Sequence, residues 1–181
     1  APSHTRLVNG SVCPRLIPTC STPLLRGLGE IAEKHRCWVQ SHIAESPDEM
    51  AFVDALHPGR RDAEIFDAHK LLTSRTVMAH GVHLRPEEVE LLVTRGSGVA
   101  CCPLSNFFFA GGELPLKQVQ AAGLRVGLGT DVAGGYSPSM LSSCRTATLV
   151  SKVVARAAGG GGADADVDYR RAFWTATMGG A

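Results

Sequence analysis

Short apolar runs recur along the chain, and longer stretches with hydrophobic residues at helical spacing separate them. Each run is four to seven residues long, which is typical of a strand buried on both faces. The five predicted strands are Ser11–Ile17, Cys37–Ile43, Thr76–Ala79, Gly98–Cys102 and Leu124–Leu128. Because strands and helices alternate, the pattern predicts a parallel α/β sheet, which is either open and doubly wound or part of a barrel.

The stretches between the strands carry helix signals. Ser46 is a predicted N-cap, and Glu49 three residues later completes a capping box. Leu24, Leu28 and Ile31 share one face of an earlier helix, so we expect that face to be buried. The six predicted helices begin at Ser21, Ser46, Pro86, Leu116, Ser137 and Tyr169, and the last three end at Ala122, about Arg156 and Thr177.

Composition agrees with one globular domain over residues 1–181, with a flexible glycine-rich linker at about 158–166. The chain has 18 Lys and Arg against 17 Asp and Glu, so it has no basic surface for nucleic acid. No apolar run approaches the roughly 18 residues of a membrane span. The six cysteines form no C-x-x-C pair, which favours reduced thiols and a cytoplasmic location.

Ionisable residues stand where three of the predicted strands end. His42 is followed by Glu45 after the second strand, His80 follows the third, and Asp131 follows the last. Taken singly, each has an ordinary interpretation as a hydrogen-bonded histidine, a loop carboxylate or a turn residue. Their recurrence at equivalent ends of parallel strands instead predicts a zinc hydrolytic centre at one rim, with an unligated carboxylate to carry protons.

Four segments then carry a resemblance to a known family. They are CPRLIPTC at Cys13–Cys20, VQSHIAE at Val39–Glu45, TVMAHG at Thr76–Gly81 and GLGTDVAGGYSPSM at Gly127–Met140. These segments resemble guanine deaminases, which are metal-dependent (β/α)8 barrels of the amidohydrolase superfamily. The likeness runs from about Ser11 to Ala181 outside the linker, and it implies a partial TIM-type barrel of the metal-dependent hydrolase type with about strands four to eight.

The resemblance also implies roles for the residues at the rim. His42 and Asp131 would be zinc ligands from the fifth and eighth strands. His80 would bond to the zinc-bound water and to the substrate. Glu45 would move a proton from that water to a purine ring nitrogen, and Asp131 would help to deprotonate the water. The implied catalytic residues are therefore Glu45, His80 and Asp131.

The substrate implied by the resemblance is free guanine, which would be hydrolysed to xanthine and ammonia. Arg15 and Leu16 would contact the purine from the fourth strand, where the planar guanidinium can donate paired hydrogen bonds. The implied substrate-binding set is Arg15, Leu16, His42, Glu45, His80 and Asp131. The resemblance further implies a homodimer for the full-length protein.

Two features depart from the family pattern. No His-x-His pair, the source of the remaining zinc ligands, occurs in the chain. Cys101 and Leu104 stand where His and Asn are usual, so we expect the rim to lose polar groups there. The apolar Phe107–Phe109 that follows can line a pocket, pack against an absent part or form a partner surface, and packing is the favoured interpretation.

These departures lead us to expect that the 181-residue chain alone is inactive, binds zinc weakly and associates through two open sheet edges. Two alternatives stay open. One is another purine, pterin or triazine deaminase or chlorohydrolase of the same superfamily. The other is a non-catalytic interaction protein that keeps a half-barrel scaffold.

Overall fold

Five parallel strands form one sheet, in which neighbours in the chain are also neighbours in space. The fold is known from a computed structural model that describes residues 9–157, 159 and 166–180. The strands are β1 (Ser11–Val12), β2 (Trp38–Ile43), β3 (Thr76–His80), β4 (Gly98–Cys101) and β5 (Arg125–Leu128), in the order β1-β2-β3-β4-β5. A doubly wound sheet requires a reversal of strand order. The described strands show none, so the sheet has the winding of a barrel segment.

Eight α-helices and a short 3-10 helix (Ile17–Thr19) connect the strands in the described residues. The helices are α1 (Thr22–His35), α2 (Pro47–Leu56), α3 (Asp62–Ala68), α4 (Pro86–Arg95), α5 (Pro103–Phe109), α6 (Leu116–Ala121), α7 (Met140–Ala157) and α8 (Tyr169–Thr177). Ser21, Ser46 and Asp168 cap α1, α2 and α8 by accepting a backbone N–H three residues on. Among the described residues, no helix has the length and apolar content that crossing a membrane requires.

Several predicted elements differ from the structure. The first strand ends at Val12 instead of Ile17, because Pro14 interrupts the run with a residue that cannot donate to the sheet. Helices α3 and α5 were not predicted, and α7 begins at Met140 instead of Ser137. The predicted linker at about 158–166 lies almost entirely outside the described residues, and the single domain over 1–181 stays a prediction.

The buried face of α1 also differs from the prediction by one position. Leu25 and Ala32 are buried, whereas Leu24 and Ile31 are exposed. Gly29 explains the rotation, because a Cβ atom there would lie 1.9 Å from the carbonyl oxygen of His69. The helix therefore turns its glycine toward the end of α3, where no larger residue fits.

The core lies on one face of the sheet. Along β2 and β3, alternate residues are buried, and the residues between them are half-buried or exposed. Val39, Met78 and Val99 belong to the buried face, while Trp38 and Val77 stay exposed on the other. Burial on both faces, which the apolar runs predicted, is therefore seen on one face of the described residues.

Phe66 in α3 tests the position of this core, because it is the largest side chain that is fully buried. Phe66→Ala should lower the free energy of unfolding by about 3–5 kcal/mol through lost burial and the cavity left behind. Phe52→Ala removes the same atoms from a residue that is 54% exposed, and it should change stability by about 0.5 kcal/mol or less. Urea unfolding of both variants provides the measurement, and equal losses would contradict the assigned core.

Candidate metal centre

The strand register brings the predicted site residues to one edge of the sheet. His42 pairs with Ala79, and Ile43 pairs with His80, so the two histidines lie one residue apart along the carboxyl ends of the neighbouring strands β2 and β3. Asp131 arrives from the end of β5. His42, His80 and Asp131 each offer one ligand atom, and these atoms lie within 4.8 Å of one another. The structure thus brings together three side chains that lie 38 and 51 positions apart in the sequence.

Left-handed backbone conformations direct the chain at these strand ends. Ala44, His80 and Asp131 have φ angles of 47°, 74° and 49°, in a region that L-residues other than Asn and Asp rarely adopt. Such conformations cost on the order of 1 kcal/mol each and persist where surrounding contacts hold them. All three lie where a strand ends and the chain turns across the rim.

Both histidines are held through Nδ1. The His42 Nδ1 lies 2.6 Å from the carbonyl oxygen of Arg15, and because a carbonyl only accepts, Nδ1 carries the proton. The His80 Nδ1 lies 2.9 Å from Oδ1 of Asn106. The two rings stack with their centroids 5.2 Å apart. A histidine fixed in this way leaves Nε2 for a metal or a substrate.

Glu45 stands beside His80 on a turn held by two further carboxylates. Its Oε1 lies 3.7 Å from the His80 Nε2. The Glu45 N–H donates to Glu49 at 2.6 Å, and the Ala44 N–H donates to Asp62 at 2.8 Å. Glu49 was predicted only as a capping residue, and Asp62 was not singled out, because its partner lies 18 positions away on another element.

Burial makes these two carboxyls unusual acids. It raises the pKa of Asp62 to about 7, with a further contribution from the charge of Glu49, and it raises the pKa of Glu49. One carboxyl oxygen of each is buried without a hydrogen-bond partner among the described atoms. Arg61 lies near Asp62 but forms its ion pair with Glu88 at 2.9 Å. The turn that carries Glu45 is therefore held by two carboxyl groups with little access to water.

Arg15 and Leu16 border the site in a different way from the other residues. Arg15 supplies its backbone carbonyl to His42, and the residue itself is exposed. Leu16 is half-buried and precedes the 3-10 helix. The contacts of these two residues with a purine stay a prediction.

The rim beyond β4 keeps polar groups that the sequence did not reveal. Cys101 and Leu104 are buried, as expected for apolar replacements. Asn106, on α5, and Glu113 supply polar atoms nearby, so the expected loss of polar groups is confined to positions 101 and 104. Phe107, Phe108 and Phe109 complete α5 as exposed residues, so a packing partner for them stays a prediction.

A parallel barrel segment with imidazole and carboxylate groups at its strand ends defines the class of metal-binding β/α-barrel proteins. The chain belongs to the Amidohydrolase family, which its residues 2–181 match. It is 42% identical over 178 residues to a probable guanine deaminase of Schizosaccharomyces pombe, covering 97% of this chain and 33% of that protein. These matches confirm the predicted resemblance.

Solved structures confirm the predicted fold class. A guanine deaminase from C. acetobutylicum with guanine in its active site has a TM-score of 0.85 and 34% identity, over 92% of this chain and 40% of that one. An adenosine deaminase from Xanthomonas campestris with bound zinc has a TM-score of 0.86 and 27% identity, over 99% of this chain and 39% of that one. The chain thus spans about a third of the length of the curated relatives it matches.

The pKa of Asp62 predicts a specific dependence of stability on pH. Because this pKa is raised in the folded state, the native chain binds more protons than the unfolded chain between about pH 4 and 7. Asp62 therefore favours folding at the acid end of this window and opposes it as the pH rises through 7. Asp62→Asn removes this titration and leaves an oxygen to accept the Ala44 N–H.

We expect the difference in the free energy of unfolding between Asp62→Asn and the parent to change in favour of the variant by on the order of 2 kcal/mol from pH 5 to pH 8. Urea unfolding at both pH values measures this difference. Asp48→Asn, at an exposed position, removes the same charge and serves as the control. Parallel pH profiles for the parent and Asp62→Asn would show that Asp62 titrates normally in the folded state.

Proposed function

We propose that this chain carries the catalytic carboxylate and part of the metal site of a zinc-dependent guanine deaminase. The observation that carries the proposal is the convergence of His42, His80 and Asp131 within 4.8 Å, beside Glu45. The Amidohydrolase match and the similarity to guanine deaminases support the choice of reaction. The reaction consumes guanine and water and yields xanthine and ammonia.

The donor set fits zinc. Imidazole nitrogen and carboxylate oxygen are common ligands at catalytic zinc sites, and the hydrogen bond from His42 Nδ1 leaves Nε2 as the donor atom. We assign His42 and Asp131 as zinc ligands, with His80 beside them. When bound, zinc supplies a lowered pKa for water at the site, so that hydroxide is available near neutral pH.

The residues of the chain would then carry the protons. Asp131 helps to take up the proton of the attacking water, and Glu45 delivers a proton to a ring nitrogen of the purine. His80 donates or accepts a hydrogen bond at the oxygen that adds to the ring. As the C–N bond breaks, the hydroxyl that has added to the ring gives up its remaining proton to the amino group, which leaves as ammonia, and the oxygen remains as the second carbonyl of xanthine.

Arg15 and Leu16 are proposed to select the substrate. A guanidinium offers several N–H groups in one plane, which suits the carbonyl and ring nitrogen of guanine. The Arg15 carbonyl already holds His42, so the same residue would link substrate recognition to the metal site. We also propose that the full-length protein is a homodimer in the cytoplasm. The six free cysteines of this chain agree with a reducing compartment.

Glu45→Gln tests the proton-transfer role. In the full-length protein, this variant should lose about 100-fold or more in kcat for guanine while keeping its zinc, because the amide cannot take up and release the proton. Glu90→Gln alters an exposed carboxylate on α4 and serves as the control. Ammonia release and metal analysis of both proteins provide the measurement. Full activity in Glu45→Gln would remove this role.

Zinc affinity of the 181-residue chain forms a second test. The chain contains no His-x-His pair, and His42 with Asp131 makes fewer than the three protein ligands that catalytic zinc usually has. Alone, it should therefore bind zinc weakly and show no guanine turnover. Equilibrium dialysis and an ammonia assay check this. Stoichiometric zinc together with turnover would contradict the proposed division of ligands.

Two other functions have specific support. The similarity to an adenosine deaminase with bound zinc supports another purine as the substrate. A panel of purines, pterins and triazines tested on the full-length protein separates these alternatives from guanine. The exposed Phe107–Phe109 favours a non-catalytic interaction role. That role would be supported if the full-length protein bound no zinc and turned over none of these substrates.

A further inference from the structure

Asn106 and Glu113 form a polar chain behind His80 that the proposed reaction does not use directly. The Asn106 Oδ1 lies 2.9 Å from the His80 Nδ1, and the Asn106 Nδ2 donates to Glu113 Oε1 at 3.4 Å. His80 and Asn106 are buried, with exposed fractions of 1% and 0%. Since these groups have little access to water, their hydrogen bonds to one another determine where the protons lie.

The orientation of the Asn106 amide follows from Glu113. Its Oε1 accepts from the Cys101 thiol at 3.0 Å and from the Leu114 N–H at 3.0 Å, in addition to Asn106. Burial raises the pKa of the Glu113 carboxyl, and its other oxygen has no partner among the described atoms. A proton on this carboxyl would therefore sit on Oε2, and Oε1 accepts in either state. The NH2 group of Asn106 must then face Glu113.

This orientation has a consequence for His80. With its NH2 group on Glu113, Asn106 presents a carbonyl oxygen to the imidazole, and this oxygen can only accept. Nδ1 of His80 must carry the proton, and Nε2 then has a lone pair. Nε2 is the ring nitrogen that faces Glu45, at 3.7 Å from Oε1.

We propose that Asn106, oriented by Glu113, is a positioning residue that holds His80 in the tautomer protonated at Nδ1. His80 then enters the reaction as a hydrogen-bond acceptor at Nε2, or as a donor there only after it has taken up a proton. The assignment of the tautomer rests on the hydrogen bonds alone. Its kinetic consequence rests on the proposed deaminase activity.

The tautomer can be measured without any activity. In the metal-free full chain labelled with 15N histidine, the two ring nitrogens of His80 differ strongly in chemical shift according to which one is protonated. At about pH 8, where imidazole is ordinarily neutral, the parent should carry its proton on Nδ1. A parent protein with the proton on Nε2 overturns the proposal, whether or not any variant folds.

Matched variants of Glu113 test its orienting role. Glu113→Gln keeps an oxygen that can accept from Asn106, and it should preserve the Nδ1 tautomer. Glu113→Leu removes the acceptor, so the amide is free to turn and His80 should become a mixture of tautomers. Circular dichroism confirms the fold of each variant before the comparison. An unmixed Nδ1 tautomer in a folded Glu113→Leu variant would contradict the role of Glu113.

Kinetics of the full-length enzyme provide the second readout. Asn106→Leu should lower kcat by about 10–100-fold with a smaller change in KM, as is typical when a partner that orients a catalytic histidine is lost. Gln118→Leu, at an exposed position on α6, is the control. If the parent shows the Nδ1 tautomer but no deamination, the proposed function fails and the positioning holds. If Asn106→Leu keeps full kcat, the positioning has no catalytic role.

Discussion

Parallel pairing in register is the constraint on which the candidate site depends. Each strand of the sheet runs in the same direction and pairs with the next strand of the chain, so every carboxyl end reaches the same edge. The chemistry-bearing residues need no contact in sequence for this reason. His42 pairs with Ala79, one residue before His80, so a slip of one residue between β2 and β3 would change this offset and would exchange the buried and exposed faces of β2.

The groups behind the site show how strand ends become a defined geometry. His42 is hydrogen-bonded to a backbone carbonyl and His80 to an asparagine. The turn that carries Glu45 donates two backbone hydrogen bonds to the carboxylates of Glu49 and Asp62. Burying the carboxyls of Asp62 and Glu113 disfavours their charged forms, as their raised pKa values show. Burial of these two acids is unfavourable, but their hydrogen bonds fix the positions of the groups that they contact.

The sequence predicted those parts of the fold that depend on local signals. The cap at Ser46 and the helix Tyr169–Thr177 agree with the structure, because a capping side chain or an amphipathic period lies within a few residues. It also predicted that His42, His80 and Asp131 converge, since strand ends in a parallel sheet meet at one rim. Helix α5 was missed because three consecutive phenylalanines have no helical period.

The supporting residues could not be predicted for a different reason. Asp62 meets Ala44 across 18 positions, and Asn106 meets His80 across 26, and neither pair has a spacing that any local motif encodes. A buried carboxylate in a short helix is identical in sequence to an exposed one. Recognising it requires knowing that α3 packs behind the turn after β2, which is a property of the tertiary structure. The ionisable residues at the strand ends are therefore easier to predict from sequence than the residues that hold them in place.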